Sequence, residues 1–384
     1  MFLLIVILGI LLYLLQSSTT VELFTVFRAY ISSTIKTPVR NIRMKRCDKP
    51  VSEIEGNTLG KFEKAQDEHS WHLFIPCGYT HVEKELQDNN HIFSTKKDGW
   101  VLGIEGADNF AAKDRVWNML LKRYGRLRAT IYMPETWVTH DPEQMEDFKN
   151  KANKKTDLNK NALYIMKKNI QQQQGLHLFT DPAEADGAFG QGYVVIQRVL
   201  TDPYIINGRK INLRLYVLLV CNSLGKKMYV YDDGFIYYSK ALYKSGTIRD
   251  EVITTGYISR EIYRDNPLTT KDFYKFVYTK EGPAAVERFI QARDYILKGF
   301  MEAAKDDFCT GKSDVTFAQS FGIDLQPNSD LSDVKILEWN KGQSLEIMDM
   351  RDGELKQKMI DDIYRTLGIV SDGVKSGYHL LWTS

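Results

Sequence analysis

The 384-residue chain has few cysteines, histidines and prolines and almost no surplus of charge. It contains four cysteines, seven histidines and ten prolines, and its 51 Lys+Arg and 49 Asp+Glu leave a net charge of +2. This balance gives no support to a nucleic-acid partner, because such proteins carry a clear basic surplus. A charged fraction of 26 % and a hydrophobic fraction of 43 % are ordinary for folded domains and exclude a disordered or collagen-like chain. The length predicts two to three lobes.

The cysteines are scattered along the chain. They are Cys47, Cys77, Cys221 and Cys309. No two of them have the CxxC spacing of a zinc ribbon or a thioredoxin motif. The histidines around Cys77 are His69, His72 and His81. Their spacing fits no standard zinc pattern, so we favour loop and core packing over a metal site. The scatter predicts reduced, structural thiols in a reducing compartment.

The chain opens with an uncharged apolar run over residues 1–15. As a helix this run would span ~22 Å, less than the ~30 Å of bilayer hydrocarbon, and residues 21–27 could extend it. Six Lys and Arg follow between Arg28 and Arg46, which by the positive-inside rule predicts a cytosolic main body. We therefore expect residues 1–30 to be a single-pass membrane anchor and residues 31–68 a juxtamembrane linker. A cleaved signal peptide and a buried helix are the alternatives.

Polar and apolar side chains alternate strictly over residues 210–216. A strand sends alternate side chains to opposite faces, so Lys210, Asn212 and Arg214 share one face. An apolar continuation over residues 217–220 favours a central strand, whose polar face would line a cleft and bind an anion. A solvated edge strand is the alternative.

Two later segments carry oxygen donors on strand faces. Asp324 alternates with apolar neighbours, and Glu338 and Asn340 share one face of the next strand. Carboxylate and amide oxygens suit Mg²⁺, which shares its remaining positions with phosphates. Upstream, a strand ends in Lys167 before a Gln-rich loop over residues 171–175, a pattern that can hold phosphates. Together these segments predict a site for a metal and a nucleotide.

Periodicity predicts the other elements. Helices are expected over residues 113–124, from Pro142, over 283–306 and from an N-cap at Asp352 to 367. Strands are expected over residues 130–133, 163–167, 194–198, 210–220, 227–231, 321–325 and 335–339.

The order of these motifs resembles the tubulin-tyrosine-ligase-like family of ATP-grasp enzymes over about residues 71–370. The strongest stretch, residues 194–214, is similar to the family's hydrophobic run, Gln and "P-L-L-I-x-G-R-K-F-D-L-R", and residues 336–340 to its "L-L-E-V-N". Weaker matches are residues 109–114, 133–137 and 321–324.

The resemblance implies an α/β (α+β) ATP-grasp fold whose antiparallel-sheet lobes clasp ATP, preceded here by an N-terminal hydrophobic helix. The expected lobes are an N-terminal lobe over residues 69–140, a central lobe over 141–205 and a C-terminal lobe with the metal site over 206–384.

The resemblance also assigns roles to residues. Lys113 and Lys167 would contact ATP phosphates, while Gln197 and the backbone of Arg198 and Val199 would form the adenine hinge. The catalytic residues would be Lys210 and Arg214, with Lys210 and Asn212 also in the nucleotide site. Mg²⁺ would be held by Asp324, Glu338 and Asn340.

The chain departs from the family pattern at several positions. Asn212 replaces the acidic residue of "K-F-D-L-R", and Tyr237 stands where a basic residue is expected, for which Lys240 or Lys244 could substitute. Of the family's "G-x-G" phosphate loop only Gly175 is present.

The implied activity is ATP-dependent and Mg²⁺-dependent ligation of an amino acid (glutamate, glycine or tyrosine) to a protein carboxylate through an acyl phosphate. The implied partners are a free amino acid, a protein acceptor of which tubulin is the family's example, and a membrane through the N-terminal helix. Two alternatives stay open: a nucleotide-binding, membrane-tethered pseudoenzyme that acts as a scaffold, and an ATP-grasp ligase for a small molecule.

Overall fold

A computed structural model describes ten stretches of the chain, all within the unit that runs from Ile42 to Ser384. They are residues 42–45, 58–64, 71–74, 100–154, 162–169, 175–256, 259–310, 316–341, 348–368 and 373–384. The predicted anchor over residues 1–30 lies outside them and stays a prediction. Within these stretches, no helix has the length and apolar character needed to cross a membrane.

The described residues form fifteen strands. In chain order they are β1 (Ile42–Lys45), β2 (Thr58–Lys64), β3 (Trp71–Phe74), β4 (Trp100–Gly103), β5 (Thr136–Val138), β6 (Tyr164–Lys168), β7 (Leu176–Phe179), β8 (Tyr193–Arg198), β9 (Ile205–Ile206), β10 (Arg209–Asn222), β11 (Gly225–Ser239), β12 (Thr254–Thr255), β13 (Thr316–Pro327), β14 (Val334–Asn340) and β15 (Tyr378–Thr383). Two of them, β1 and β2, fall within the interval predicted as a linker.

Eight helices accompany these strands in the described part of the chain. They are α1 (Asp108–Ala111), α2 (Lys113–Ala129), α3 (Pro142–Ala152), α4 (Arg249–Val252), α5 (Arg260–Asp265), α6 (Thr270–Glu281), α7 (Pro283–Ala304) and α8 (Met350–Thr366), and a short 3₁₀ turn spans Pro182–Ala185.

Local chemistry accounts for several helix ends. The Asp141 carboxylate accepts the N–H groups of Glu143 and Gln144 ahead of Pro142, which confirms the predicted start of α3. The predicted N-cap of α8 is wrong by three residues, because Asp349 is the residue that accepts the Asp352 N–H.

The larger sheet has eleven strands. Its main path is β1-β3-β2-β4-β13-β10-β11-β12, with β14 paired to β13, β15 to β11 and β9 to β10. Strand β10 is antiparallel to both β11 and β13, which confirms that it is central. Arg214 lies opposite Asp324, and Asp324 lies opposite Glu338. Because cross-strand neighbours share a face, three adjacent strands present these side chains in a row.

The smaller sheet has the antiparallel order β5-β8-β6-β7. Tyr164 and Met166 of β6 pack with Trp137 and Phe148 in a core of their own. By strand alternation, Lys167 of β6 points to the opposite face. The two sheets are antiparallel except for the parallel pairs β1–β3 and β4–β13, and with the surrounding helices they confirm a mixed α/β fold of the expected kind.

The predicted strand over residues 130–133 is wrong. The N–H groups of Tyr132 and Met133 both donate to the Ala129 carbonyl, so the segment continues the turns that end α2. Tyr132 stacks on Tyr124 with ring centroids 4.8 Å apart and is buried. The apolar residues of segment 130–133 therefore reflect burial in the core. In a segment of only four residues, a buried strand and a buried turn have the same apolar pattern.

The expectation that all cysteines are reduced is wrong for one pair. Cys221, in β10, and Cys309, after α7, form a disulfide with their Cα atoms 6.4 Å apart and a sequence separation of 88. The sheet brings the end of β10 beside the residues that follow α7, a proximity that sequence spacing does not reveal. Cys47 and Cys77 lie outside the described residues.

Candidate active site

Side chains from both sheets converge in one buried polar cluster. Lys167 belongs to β6 of the smaller sheet, and Lys210 to β10 of the larger one. The charge of Lys167 helps to lower the pKa of Lys210. Burial lowers the pKa of Lys167 itself, and the nearby carboxylates of Glu338 and Asp324 partly oppose that shift. The structure thus brings together the cations and carboxylates that the sequence places in separate motifs.

Arg214 and Asp324 form a buried, bidentate ion pair. The Arg214 Nε and Nη2 atoms donate to Asp324 Oδ1 and Oδ2 at 2.5 and 3.0 Å. Burial disfavours the guanidinium, but Asp324 outweighs it and raises the pKa of Arg214 well above its ordinary value. Burial likewise raises the pKa of the Asp324 carboxyl, and Arg214 opposes that shift. Such a pair is rigid, and removing either partner would leave a buried, uncompensated charge.

Glu338 and Asn340 extend this pair along β14. Asn340 Nδ2 donates to Asp324 Oδ2 and Glu338 Oε1, both at 3.3 Å, and the Lys113 ammonium lies 3.8 Å from Glu338 Oε2. Burial alone would raise the pKa of the Glu338 carboxyl, but Lys113 and Lys167 hold it below its usual range. Glu338 is therefore ionised at neutral pH.

The oxygen donors of this cluster fit a magnesium ion. No group of three or more His, Cys, Asp and Glu side chains that could hold a metal occurs in the described residues. A cation would here be held by the carboxylates of Asp324 and Glu338 and the amide of Asn340. The amide now presents its nitrogen to both carboxylates, and a half-turn of the amide group presents its oxygen instead. Two carboxylates and one amide oxygen are a donor set that Mg²⁺ accepts.

Lys210 is a buried cation with no carboxylate at ion-pair distance among the described residues. Its side chain is 4 % exposed. Burial, helped by the charge of Lys167, lowers the pKa of Lys210 to about 7. Burying an ammonium without a counter-charge is costly, so its position favours an anionic ligand.

Lys167 is oriented by a chain of hydrogen bonds. Its ammonium donates to Gln197 Oε1 at 2.7 Å, and Gln197 Nε2 donates to Thr136 Oγ1 at 2.9 Å. Thr136 in turn donates to the Pro134 carbonyl. Burial lowers the pKa of Lys167 to about 8. The Gln197 side chain, assigned to the adenine hinge, thus holds Lys167, and Thr136 is a supporting residue that the sequence did not single out.

The two predicted hinge N–H groups bond within the protein. The Arg198 N–H donates to the Glu135 carbonyl and the Val199 N–H to the Leu163 carbonyl, both at 2.8 Å. An adenine bound beside this segment would need other donors. The hinge role of Arg198 and Val199 stays a prediction.

The two lysines expected to substitute for a basic residue at Tyr237 do not belong to the polar cluster. Lys240 and Lys244 are exposed in the loop after β11. The Glu251 carboxylate orders that loop by accepting the N–H groups of Lys244, Ser245 and Gly246.

Gly322 is a site residue that sequence reasoning missed. A Cβ atom on Gly322 would lie 2.9 Å from Arg214 Cδ and 3.2 Å from Nη1, so only glycine leaves room for the guanidinium. A glycine inside an apolar strand signals such a close approach. That signal is present in the motif over residues 321–324.

Comparison with known proteins identifies the family of the chain. The model of the tubulin-tyrosine ligase family matches residues 101–373. The chain belongs to the tubulin-tyrosine ligase family. It is 27 % identical over 205 residues to a rat protein named probable tubulin polyglutamylase TTLL9, and 28 % over 203 residues to the mouse protein of that name. These alignments cover 49 % of the chain and 42 % of each relative.

A relative from a ciliate matches a shorter stretch of the chain. The chain is 31 % identical over 140 residues to a probable beta-tubulin polyglutamylase of Tetrahymena thermophila, which covers 35 % of the chain and 11 % of that protein. The chain thus spans less than half the length of the rat and mouse relatives and a small part of the ciliate one.

Proposed function

We propose that the chain is an ATP-dependent ligase that joins glutamate to a carboxylate of a protein acceptor, with tubulin as the acceptor. The observation that carries the proposal is the buried Lys210 side chain beside Lys167, which itself lies near the carboxylates of Glu338 and Asp324. A buried lysine without a counter-charge suits a triphosphate, and the carboxylates suit its metal. Family membership supports the reaction class, and the relatives' names support glutamate and tubulin.

In the proposed first step, an oxygen of the acceptor carboxylate attacks the γ-phosphorus of ATP. The bond between that phosphorus and the β–γ bridging oxygen breaks, giving ADP and an acyl phosphate. Lys210 and Arg214 offset the repulsion between the carboxylate and the triphosphate, and Lys167 and Lys113 hold phosphate oxygens. Mg²⁺ held by Asp324, Glu338 and Asn340 would neutralise phosphate charge.

In the second step, the neutral amino group of the incoming amino acid attacks the acyl carbon. The acyl carbon–oxygen bond breaks, inorganic phosphate leaves with its electron pair, and the nitrogen loses a proton. No side-chain nucleophile is required, because the acyl phosphate is already activated. The work of this chain is to position the groups and offset their charge.

The test is ADP release by the purified full chain with glutamate and polymerised tubulin, each also omitted in turn. Lys210→Met is the site variant, and Lys275→Met, at an exposed position on α6, is the matched control. ADP release that needs both substrates and is lost only in Lys210→Met supports the proposal. ADP release that does not need tubulin would instead identify a small-molecule ligase.

A nucleotide-binding scaffold is the second candidate function. The neutral side chains at Asn212 and Tyr237 favour it, because they stand where the family motif has charged residues. Stoichiometric nucleotide binding without ADP release under any combination of substrates would establish this alternative.

We also propose that residues 1–30 anchor the protein in a membrane with the ligase domain in the cytosol. The uncharged run of residues 1–15 and the Lys and Arg between Arg28 and Arg46 support it. The Cys221–Cys309 disulfide withdraws one argument for the cytosol, since disulfides are rare there. A reporter fused to Ser384 tests the topology: protease added to sealed membrane vesicles should remove it, and protection would place the domain in the lumen.

A further inference from the structure

The Arg214 guanidinium is held by side chains of two neighbouring strands. Asp324 of β13 takes two of its donors, and Gly322 of the same strand leaves the space that the guanidinium occupies. From β11, the ring of Tyr237 lies with its centroid 5.2 Å from Arg214 Cζ, at cation–π distance. Arg214 is thus confined by a ring, a carboxylate and a missing side chain.

Tyr237 lies directly opposite Asn212 in the β10–β11 pair. Both positions depart from the family pattern described under Sequence analysis. Asn212 stands in place of an acidic residue, and Tyr237 in place of a basic one. A cation at Tyr237 would stand beside Arg214 and repel it. A carboxylate at Asn212 would compete with Asp324 for the guanidinium. Because the two positions face each other, we treat the two differences from the family pattern as linked: an oppositely charged pair is replaced by an uncharged pair.

We propose that Tyr237 is a positioning residue, whose ring holds the Arg214 guanidinium against Asp324 where an uncharged Asn212 permits it. Only the expected effect on catalysis rests on the proposed function, in which Arg214 acts on the transferred phosphoryl group. A fixed guanidinium needs no reorganisation as charge develops in the transition state. Loss of the ring should therefore lower kcat more than it raises the KM for ATP.

The first test compares Tyr237→Leu with Tyr237→Phe, which keeps the ring. Tyr229→Leu, at a half-buried position elsewhere on β11, is the matched control. In Tyr237→Leu we expect kcat to fall about tenfold, the factor that a desolvated cation–π contact represents, and the KM for ATP to change less than about threefold. Tyr237→Phe should recover most of the loss. Equal losses in the Leu and Phe variants, or none in Leu, would refute the role of the ring.

A second measurement does not depend on turnover. Phenylglyoxal modifies accessible guanidinium groups, and the rate at Arg214 can be followed by peptide mass spectrometry. This rate should rise about tenfold in Tyr237→Leu and stay near the wild-type value in Tyr237→Phe and Tyr229→Leu. An unchanged rate in Tyr237→Leu would overturn the proposal. If the modification rates differ among the variants in this way but the wild type shows no ligase turnover, the proposed function fails and the positioning role stands.

The pairing of the two departures has its own test. Tyr237→Arg should lower the unfolding temperature, because it places a second buried cation beside Arg214. Adding Asn212→Asp should recover part of that loss, since the register sets the new charges opposite each other. A further fall in the double variant would show that the two positions are not one unit.

Discussion

Replacing Lys210 by methionine should stabilise the protein while weakening its hold on nucleotide. The pKa of Lys210 is lowered to about 7 from 10.5 by burial and by Lys167. Below pH 7 the ammonium is charged in the folded and the unfolded states, and its burial costs about 5 kcal/mol, the equivalent of the pKa difference. Methionine fills similar space without that charge, so Lys210→Met should have the larger free energy of unfolding at pH 6.

The sign of the pH dependence follows from the same shift. Between pH 7 and pH 10.5 the unfolded state binds the Lys210 proton more strongly than the folded state does. The free energy of unfolding of the wild type therefore rises with pH in this window, by about 2 kcal/mol between pH 7 and pH 9 from this group. Lys210→Met lacks that rise, so its advantage should shrink towards pH 9. The titration of Lys167, at a pKa of about 8, contributes to both proteins and largely cancels.

The assay is chemical denaturation of the wild type, Lys210→Met and the exposed control Lys275→Met at pH 6, 7, 8 and 9. The control should follow the wild-type curve. Parallel pH profiles for the wild type and Lys210→Met would show that Lys210 has an ordinary pKa and would refute the reasoning. A nucleotide titration at pH 7 completes the test, since the variant should bind ATP at least tenfold more weakly (about 1.4 kcal/mol).

Three further predictions concern the cluster and the disulfide. Asp324→Asn leaves the Arg214 guanidinium buried without its counter-charge and should lower the free energy of unfolding by about 3–5 kcal/mol in chemical denaturation; a loss below 1 kcal/mol would contradict the buried pair. Glu338→Gln should abolish ADP release and also lower the unfolding temperature, because Lys113 and Lys167 lose the carboxylate that offsets their charge; near-normal turnover at low Mg²⁺ would remove Glu338 from the metal site. Cys309→Ser opens a crosslink that closes a loop of 88 residues and should lower the free energy of unfolding by about 2–4 kcal/mol, whereas an unchanged value under non-reducing conditions would mean that the disulfide does not form.

Local patterns predicted the strand that carries the site. The alternation over residues 210–216 placed Lys210, Asn212 and Arg214 on one face, and the apolar continuation identified β10 as central; the structure confirms both. The helix starts at Lys113 and Pro142 followed from equally local signals. The face to which a strand side chain points depends only on the alternation of a few consecutive residues, so a short stretch of sequence is enough to predict it.

The contacts between motifs could not be predicted in this way. Arg214 and Asp324 are 110 residues apart, and nothing in either strand states that β13 lies beside β10 in this register. The same holds for the Cys221–Cys309 disulfide. Lys341 is a further example: a lysine just past a strand end is usually solvated, but the fold brings Asp108 to it as an ion-pair partner.

The position of β13 in the larger sheet has a consequence for synthesis of the chain. Strand β13 lies between β4 and β10, so the sheet stays divided until residues 316–327 have been made. At roughly 5–20 residues per second, the ~100 residues from the end of β10 to β13 take on the order of 5–20 s. During that interval the cations of β10 have neither Asp324 nor Glu338 beside them. A nascent chain halted before residue 316 therefore presents Lys210 and Arg214 on a half-built sheet, and the proposed nucleotide site forms only when the last fifth of the protein emerges.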